Sequence, residues 1–217
     1  MPLIAIAGCD GAGKSTLVRN LAAALARRGH DVEVLDKWDI FDAQRYPECA
    51  FLGDDQEQLK RCVSAMDGVA RALFIFWMIS LTLKPLRAAA AGKVYLLDGY
   101  WMKHAAAEIL LGCPPGVVFA AVDALPEADL TFFLEVAPGT ALGRKPQRSR
   151  YECGRSRDGS QAAFASHQAK VGSLLSTWAH ERGWVRIDSD MAREAVLKEV
   201  LDRVVGSLRP VPEAVHC

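Results

Sequence analysis

With 217 residues, 51% of them apolar, the chain is long enough to bury a sizeable core and suits one α/β domain with insertions. Its 26 lysines and arginines equal its 26 aspartates and glutamates, so no global positive field exists to hold nucleic acid or an anionic membrane, and any polyanion site must be local. The six cysteines, Cys9, Cys49, Cys62, Cys113, Cys153 and Cys217, are scattered without a C-x-x-C pair or a secretory leader, which implies reduced thiols in a cytoplasmic chain.

The stretch LIAIAG, Leu3 to Gly8, has strand composition and runs into the Gly-rich turn GCDGAGKST. From Lys14 the pattern turns helical and stops at Gly29, a natural C-terminal cap. DVEVLD reads as a second strand ending at Asp36; the polar and aromatic KWDIFDAQRYPECAFLGDD after it has little periodicity and is expected to be a loop facing the site. Helical material follows from Gln56 to Ala91, with Pro85 a kink or break and Gly92 a cap. Within it, ALFIFWMISLTL is almost uninterrupted hydrophobicity, but at about twelve residues, bracketed by Arg71 and Lys84, it falls short of the roughly 20 that a bilayer core requires. Such a helix is buried in the protein or between two copies of it.

KVYLLDGY is a short buried strand with an acid near its end, and a helix from Met102 to Leu111 is ended by CPPG. DLTFFLEV makes a fourth strand, a short helix begins at Pro138, and the basic segment Lys145 to Gly159 is a loop. A long helix covers Ser160 to Arg182, WVRID is a fifth strand, and a last helix has Ser189 as its N-cap. The tail RPVPEAVHC reads as frayed. The expected organisation is a single domain over 1–208 with a lid at 145–159 and a tail at 209–217. Strands alternating with helices of crossover length predict a five-stranded parallel sheet covered on both faces, a three-layer α/β/α fold. Ligands in such sheets sit outside the carboxyl ends of the strands, where Gly8, Asp36 and Asp98 all lie.

Gly8, Gly13, Lys14 and Ser15 satisfy G-x-x-x-x-G-K-[ST], between a strand and a helix as that motif requires. Glycines let several backbone N–H groups converge on phosphates, with the positive helix end behind them. The loop Gly8, Asp10, Gly11, Ala12, Gly13, Lys14, Ser15 and Thr16 is therefore assigned to ATP, with Lys14 bridging the β- and γ-phosphates and Ser15 on Mg²⁺. Asp98 is either the second metal-organising carboxylate or a cap of the next helix, and the two roles are compatible. The segment GRKPQRSRYECGRSRDG holds Arg144, Lys145, Arg148, Arg150, Arg155 and Arg157 against one acid, Glu152, until Asp158. Arginines on a mobile loop neutralise the charge of a transferred phosphoryl group while excluding water; an ordinary solvated basic loop is the alternative. Arg144 is assigned to ATP and Arg148 and Arg150 to the transfer, although spacing leaves open which arginine is decisive. Lys37 either reaches a bound anion or is a plain surface lysine. His104 and His167 lack the companions of a zinc site and read as incidental. Phe74, Phe76 and Trp77 either stack a base or belong to the core.

In this order the pieces resemble the thymidylate kinase family of P-loop nucleoside monophosphate kinases, from Leu3 to about Leu208. DGAGKST matches that family's phosphate loop, LLDGYW its strand ending in D-R-Y, LEVAPGTALGR its L-D-V-x-P-E-x-x-L-x-R segment, and RYE at Arg150 to Glu152 its lid. The resemblance implies Mg-ATP-dependent transfer to a nucleoside monophosphate, and a homodimer packed through the helix around Phe74 to Leu83. It places Asp10, Lys37 and Tyr100 toward the acceptor. Gly11 and Ala12 with an Arg-rich lid resemble the branch whose lid supplies the basic groups.

The chain also departs from the family pattern. Phe74 and Ile75 stand at the usual Asp-Arg pair, Gly99 at the arginine of D-R-Y, and Lys37 at an arginine. Arg71, one turn earlier, is the substitute within reach. The donor half is thus intact and the acceptor half rewritten, which leaves two alternatives: a kinase for a different small-molecule acceptor, or a nucleotide-binding regulatory protein that has lost transfer.

Overall fold

The computed structural model describes residues 2–88 and 92–208. Five strands, β1 (Leu3–Gly8), β2 (Val32–Leu35), β3 (Val94–Asp98), β4 (Leu130–Glu135) and β5 (Val185–Asp188), form one sheet in the order β2-β3-β1-β4-β5, and every pairing is parallel. All six residues of β1 are buried, as a central parallel strand covered on both faces demands. Register pairs Ile6 with Asp98 and Gly8 with Leu134, so β3 ends two residues short of β1, and the carboxyl ends of the three strands gather at one edge of the sheet. The chain leaves β1 toward β2, returns through β3 and then crosses to β4, and the crevice opens at β1 where that direction reverses.

The helices are α1 (Lys14–Ala26), α2 (Gln56–Ala65), α3 (Gly68–Thr82), α4 (Trp101–Leu110), α5 (Pro115–Asp123), α6 (Pro138–Arg144), α7 (Gln161–Glu181) and α8 (Arg193–Ser207). α1 buries Leu17, Val18, Leu21, Ala24 and Leu25, the spacing of one helical face. Strand order and alternation are those expected of a P-loop α/β fold.

Four local expectations need correction. The helix expected from Gln56 to Ala91 is two helices, because Met66 and Asp67 are extended and Gly68 has φ +53°. α3 stops at Thr82 ahead of Pro85, a 3₁₀ turn covers Lys84–Ala88, and residues 89–91 lie outside the described residues, as does the tail at 209–217. Helix α5 was not anticipated: CPPG ends one helix, yet Pro115 also opens the next, since a first-turn proline gives up an N–H that has no intrahelical partner. The segment after β2 is not a bare loop. Asp36 and Asp39 form a capping box over a 3₁₀ helix, Lys37–Phe41, and a second runs over Pro47–Leu52. Ile40, Tyr46 and Cys49 from these turns pack with Met78 of α3 into a small second core. Finally, α8 starts at Arg193 after Ala192, so Ser189 does not cap it.

α3 with its 3₁₀ extension, Gly68–Ala88, is long and apolar enough by length and composition to cross a membrane, longer than the apolar run counted from sequence. It buries Arg71, Ala72, Ile75, Phe76, Met78, Ile79 and Thr82 within its own chain, so one face of the helix belongs to the core. Val69, Leu73 and Phe51 are the large apolar side chains left exposed around it.

Candidate functional site

The glycines of the loop after β1 are required by geometry at two places. Gly8 has φ +154°, and a Cβ there would meet Ala12 Cβ at 3.0 Å and the Leu134 carbonyl at 3.1 Å. Gly11 has φ +85°, and a Cβ there would lie 2.4 Å from the Ala141 carbonyl, backbone that cannot give way. The loop therefore presses against β4 and α6, with its Asp10 and Ala12 amides donating within the protein, to Gln168 Oε1 and the Cys9 carbonyl. Gly13 is the left-handed N-cap of α1, directing that helix's N-terminus at the loop.

Lys14 arches back over the loop, its Nζ donating to the Cys9 carbonyl at 2.7 Å. Burial and the neighbouring Lys103 charge lower its pKa, so a bound polyphosphate would relieve an ammonium already short of solvation. Ser15 Oγ donates to Asp98 Oδ1 at 3.1 Å, joining the start of α1 to the end of β3. Burial raises the Asp98 pKa against the Ser15 hydrogen bond.

Asp10 is the most heavily engaged acid in the crevice. It receives Lys103 Nζ at 2.8 Å, has Lys145 Nζ at 3.9 Å, and its amide donates to Gln168 Oε1 at 2.8 Å. Burial works against its carboxylate, yet Lys103, Lys14 and Lys145 outweigh burial and hold its pKa well below the usual range. Lys145 also binds Glu152, and Gln168 Nε2 donates to the Glu152 carbonyl, so the segment after α6 is tied to the loop after β1 through Asp10. Lys37 faces the same charges. Burial lowers its pKa to about 8, against the pull of Asp36.

On the other side of the loop lies a cleft lined by Gly11, Gly13, Thr16, Leu17, Arg144 and Ser189 and closed by Met191, Arg193, Val196 and Leu197. Ser189 Oγ donates to the Ala12 carbonyl at 2.6 Å, while Arg144 donates to Ser189 Oγ at 3.1 Å and to its carbonyl at 2.8 Å. Apolar walls with a few fixed polar groups suit a planar base beside its phosphates.

The other expected residues sit elsewhere. Arg71 is buried, donating from Nε to Glu108 Oε1 at 2.9 Å and from Nη1 to the Val63 carbonyl. Its guanidinium lies 3.8 Å from the centre of the Tyr151 ring, whose hydroxyl donates to the same Glu108 oxygen at 3.0 Å. Arg71 thus ties Tyr151 to α3 and α4. The Tyr100 hydroxyl is engaged with the Pro126 carbonyl at 2.7 Å. Arg148 folds back on the Lys145 carbonyl at 2.9 Å and lies over Phe164, and Arg150 is exposed. Phe74 stacks on Trp77 at 5.5 Å, and Ile75 is 2% exposed. Lys145, not an arginine, is the lid cation within 4.0 Å of Asp10.

Lys103 and Gln168 are not marked by the sequence patterns, and Ser189 is marked there only as a helix cap. The signal that could have found Lys103 is a basic residue in the first turn of a helix at a strand's carboxyl end. Gln168, seventh in α7's chain after Gln161, had nothing to mark it. His104 is also more than incidental in its setting: it is 4% exposed, and neither ring nitrogen has a hydrogen-bond partner among the described residues.

No profile of a known protein family matches the sequence. Curated relatives do: the chain is 32% identical over 153 residues to proteins named thymidylate kinase in Xanthomonas campestris pv. campestris strains B100 and 8004, a match covering 65% of this chain. It spans 59% of the length of those relatives. The chain is thus similar over part of its length to proteins named thymidylate kinase, and it carries the parallel strand order and the glycine-rich loop described above.

Proposed function

We propose that the protein transfers a phosphoryl group from Mg-ATP to a nucleoside monophosphate or a closely related phosphorylated acceptor. The observation that carries this reading is the convergence of Lys14, Ser15 and Asp98 at one point of the sheet, with Ser15 and Asp98 in direct contact. The chemistry of that pair fits Mg²⁺: a hydroxyl and a carboxylate, both hard oxygen donors, leave the remaining positions for phosphate oxygens and water. Asp98 is buried enough to raise its pKa, and a cation would relieve the charge it carries when ionised. When bound, Mg²⁺ supplies charge neutralisation between the β- and γ-phosphates.

The chain's own residues account for the rest. Amides of the Gly8 to Thr16 loop and Lys14 hold the phosphates, and the cleft beside Arg144 and Ser189 takes the base. Arg148 and Arg150 would have to swing from their present positions to reach the transferred group, whereas Lys145 is already beside Asp10. The segment 145–159 is thereby proposed as a lid over a single kinase domain, 1–208. A homodimer through Val69, Leu73 and Phe51 is part of the same reading, since these side chains otherwise leave an apolar face in water. So are a cytoplasmic location, which suits the free thiols of Cys9, Cys49, Cys62, Cys113 and Cys153, and partners that are small-molecule nucleotides, not nucleic acid or membrane.

A coupled ADP-release screen over nucleoside monophosphates, nucleosides and other phosphorylated metabolites tests the proposal, with Lys14→Ala as the blank. Saturable release with a monophosphate, absent in Lys14→Ala, is expected. Release with none of them, from protein that binds Mg-ATP, would favour a regulatory nucleotide-binding protein.

A further inference from the structure

Lys103 occupies the first turn of α4, which begins at Trp101. A helix dipole disfavours an ammonium there, and the side chain is only 15% exposed, so local electrostatics and solvation both oppose a lysine at this position. Departures from local preference concentrate at functional sites. Asp10 at 2.8 Å, helped by Glu152, outweighs the burial and keeps the ammonium charged, and that carboxylate is shared with Lys145 at 3.9 Å, which has Glu152 as well.

Four ammonium groups, on Lys14, Lys37, Lys103 and Lys145, thus surround one small volume beside the phosphate loop. Lys103 is near enough to depress the pKa of both Lys14 and Lys37. A purely structural Lys103 would serve to hold Asp10. Asp10 is already fixed by Gln168 at its amide and approached by Lys145 at its carboxylate. Asp10, Asp36, Asp98 and Glu152 face these four ammonium groups, and an anion entering beside the loop meets Lys103 at a carboxylate it already shares with Lys145. Gly99, four residues before Lys103 and without a side chain, offers open space.

We infer that Lys103 is a catalytic residue of the transfer, touching the acceptor's phosphate from the first turn of α4 where Gly99 presents no side chain. This rests on the kinase reading above. In that step an acceptor phosphate oxygen forms a bond to the γ-phosphorus while the bond from that phosphorus to the β,γ-bridging oxygen breaks, and ADP leaves with the electron pair. A dianionic acceptor phosphate has no proton to lose, so Asp10, with its strongly lowered basicity, is not needed as a base. What the step needs is relief of repulsion between two anionic phosphates, and Lys103 provides it by exchanging part of its contact with Asp10 for the acceptor.

The test uses the full chain with its phosphate loop filled by Mg-AMP-PNP, titrated with inorganic phosphate and followed by ³¹P NMR and calorimetry. Lys103→Met is expected to weaken phosphate binding at least tenfold, Lys103→Arg to retain it within about threefold, and both to bind Mg-AMP-PNP within twofold of wild type. Unchanged phosphate affinity in Lys103→Met would overturn the inference, as would a parallel loss of Mg-AMP-PNP affinity, the mark of a strut for the loop. Should Lys103→Met fail to fold, Lys103→Gln is read by the same two affinities. Wild-type protein that does not bind Mg-AMP-PNP would overturn the kinase reading itself and the inference with it; binding without a Lys103 effect on phosphate would sink the inference alone.

Discussion

Ser189 and Ala12 are 177 residues apart in sequence, yet the Ser189 hydroxyl donates to the Ala12 carbonyl at 2.6 Å in a buried contact. The turn after β5 therefore fixes the phosphate loop from behind, and Arg144 is fixed to Ser189 in turn. Ser189→Ala leaves the carbonyl unpaired and the guanidinium with one partner fewer, at about 1–3 kcal/mol. We expect a lower Tm and a Kd for Mg-ATP raised about tenfold, measured by calorimetry. An unchanged Kd would mean that the loop holds its shape without this tie.

Gly11 and Gly13 both have positive φ, but they differ in surroundings: a Cβ at Gly11 meets Ala141 backbone at 2.4 Å, whereas Gly13 has nothing within 4 Å. Gly11→Ala should therefore lose more stability than Gly13→Ala, by roughly 1–3 kcal/mol for the added clash and strain. Urea denaturation of the two variants side by side decides it, and equal losses would show that α6 retreats freely.

Asp98→Asn keeps the shape and the Ser15 contact but removes the charge. Mg-ATP binding should stay within a few fold while kcat falls by about 100-fold or more, because a metal-organising carboxylate acts most on the reacting geometry. A kcat series across a Mg²⁺ titration is the check. An unaltered kcat would leave Asp98 as a turn residue before α4.

Lys37 gives the site a pH dependence. Burial lowers its pKa to about 8, so the ammonium is present below that pH and lost above it. If it pairs with the acceptor's phosphate, the acceptor KM rises between pH 7 and 9, and Lys37→Arg, which stays charged, flattens the profile. Steady-state kinetics at constant ionic strength read this directly. A wild-type KM flat over that range would remove Lys37 from the acceptor site.

Thymidylate itself should be a poor acceptor. Ile75 is buried, Phe74 is stacked on Trp77, and Arg71 is held by Glu108 and Tyr151, so none of the three offers the polar contact a base would need from α3. We expect kcat/KM for dTMP at least about 100-fold below the efficiency usual for such kinases, a loss of about 3 kcal/mol of transition-state binding. Efficient and selective use of dTMP would show that other residues compensate.

The sequence alone determined the sheet and the glycine-rich loop after β1. The central strands β1, β3 and β4 are short apolar runs ending at a glycine or an acid, and the loop after β1 is a contiguous motif whose glycines are set by local backbone geometry. Local signals misled where one residue type has two uses: Pro115 opens a helix instead of only ending one, and Ser189 turned from the helix it precedes toward the loop after β1. The acceptor side was decided by tertiary structure. Arg71 is claimed by Glu108, 37 residues on, and by a lid tyrosine; Lys103 meets Asp10 across 93 residues; Gln168 reaches the Asp10 amide across 158. A buried charge goes to whichever opposite charge the packing brings within hydrogen-bond distance, because leaving it unpaired in the interior costs several kcal/mol. That choice depends on which elements become neighbours in space, which spacing along the chain does not encode.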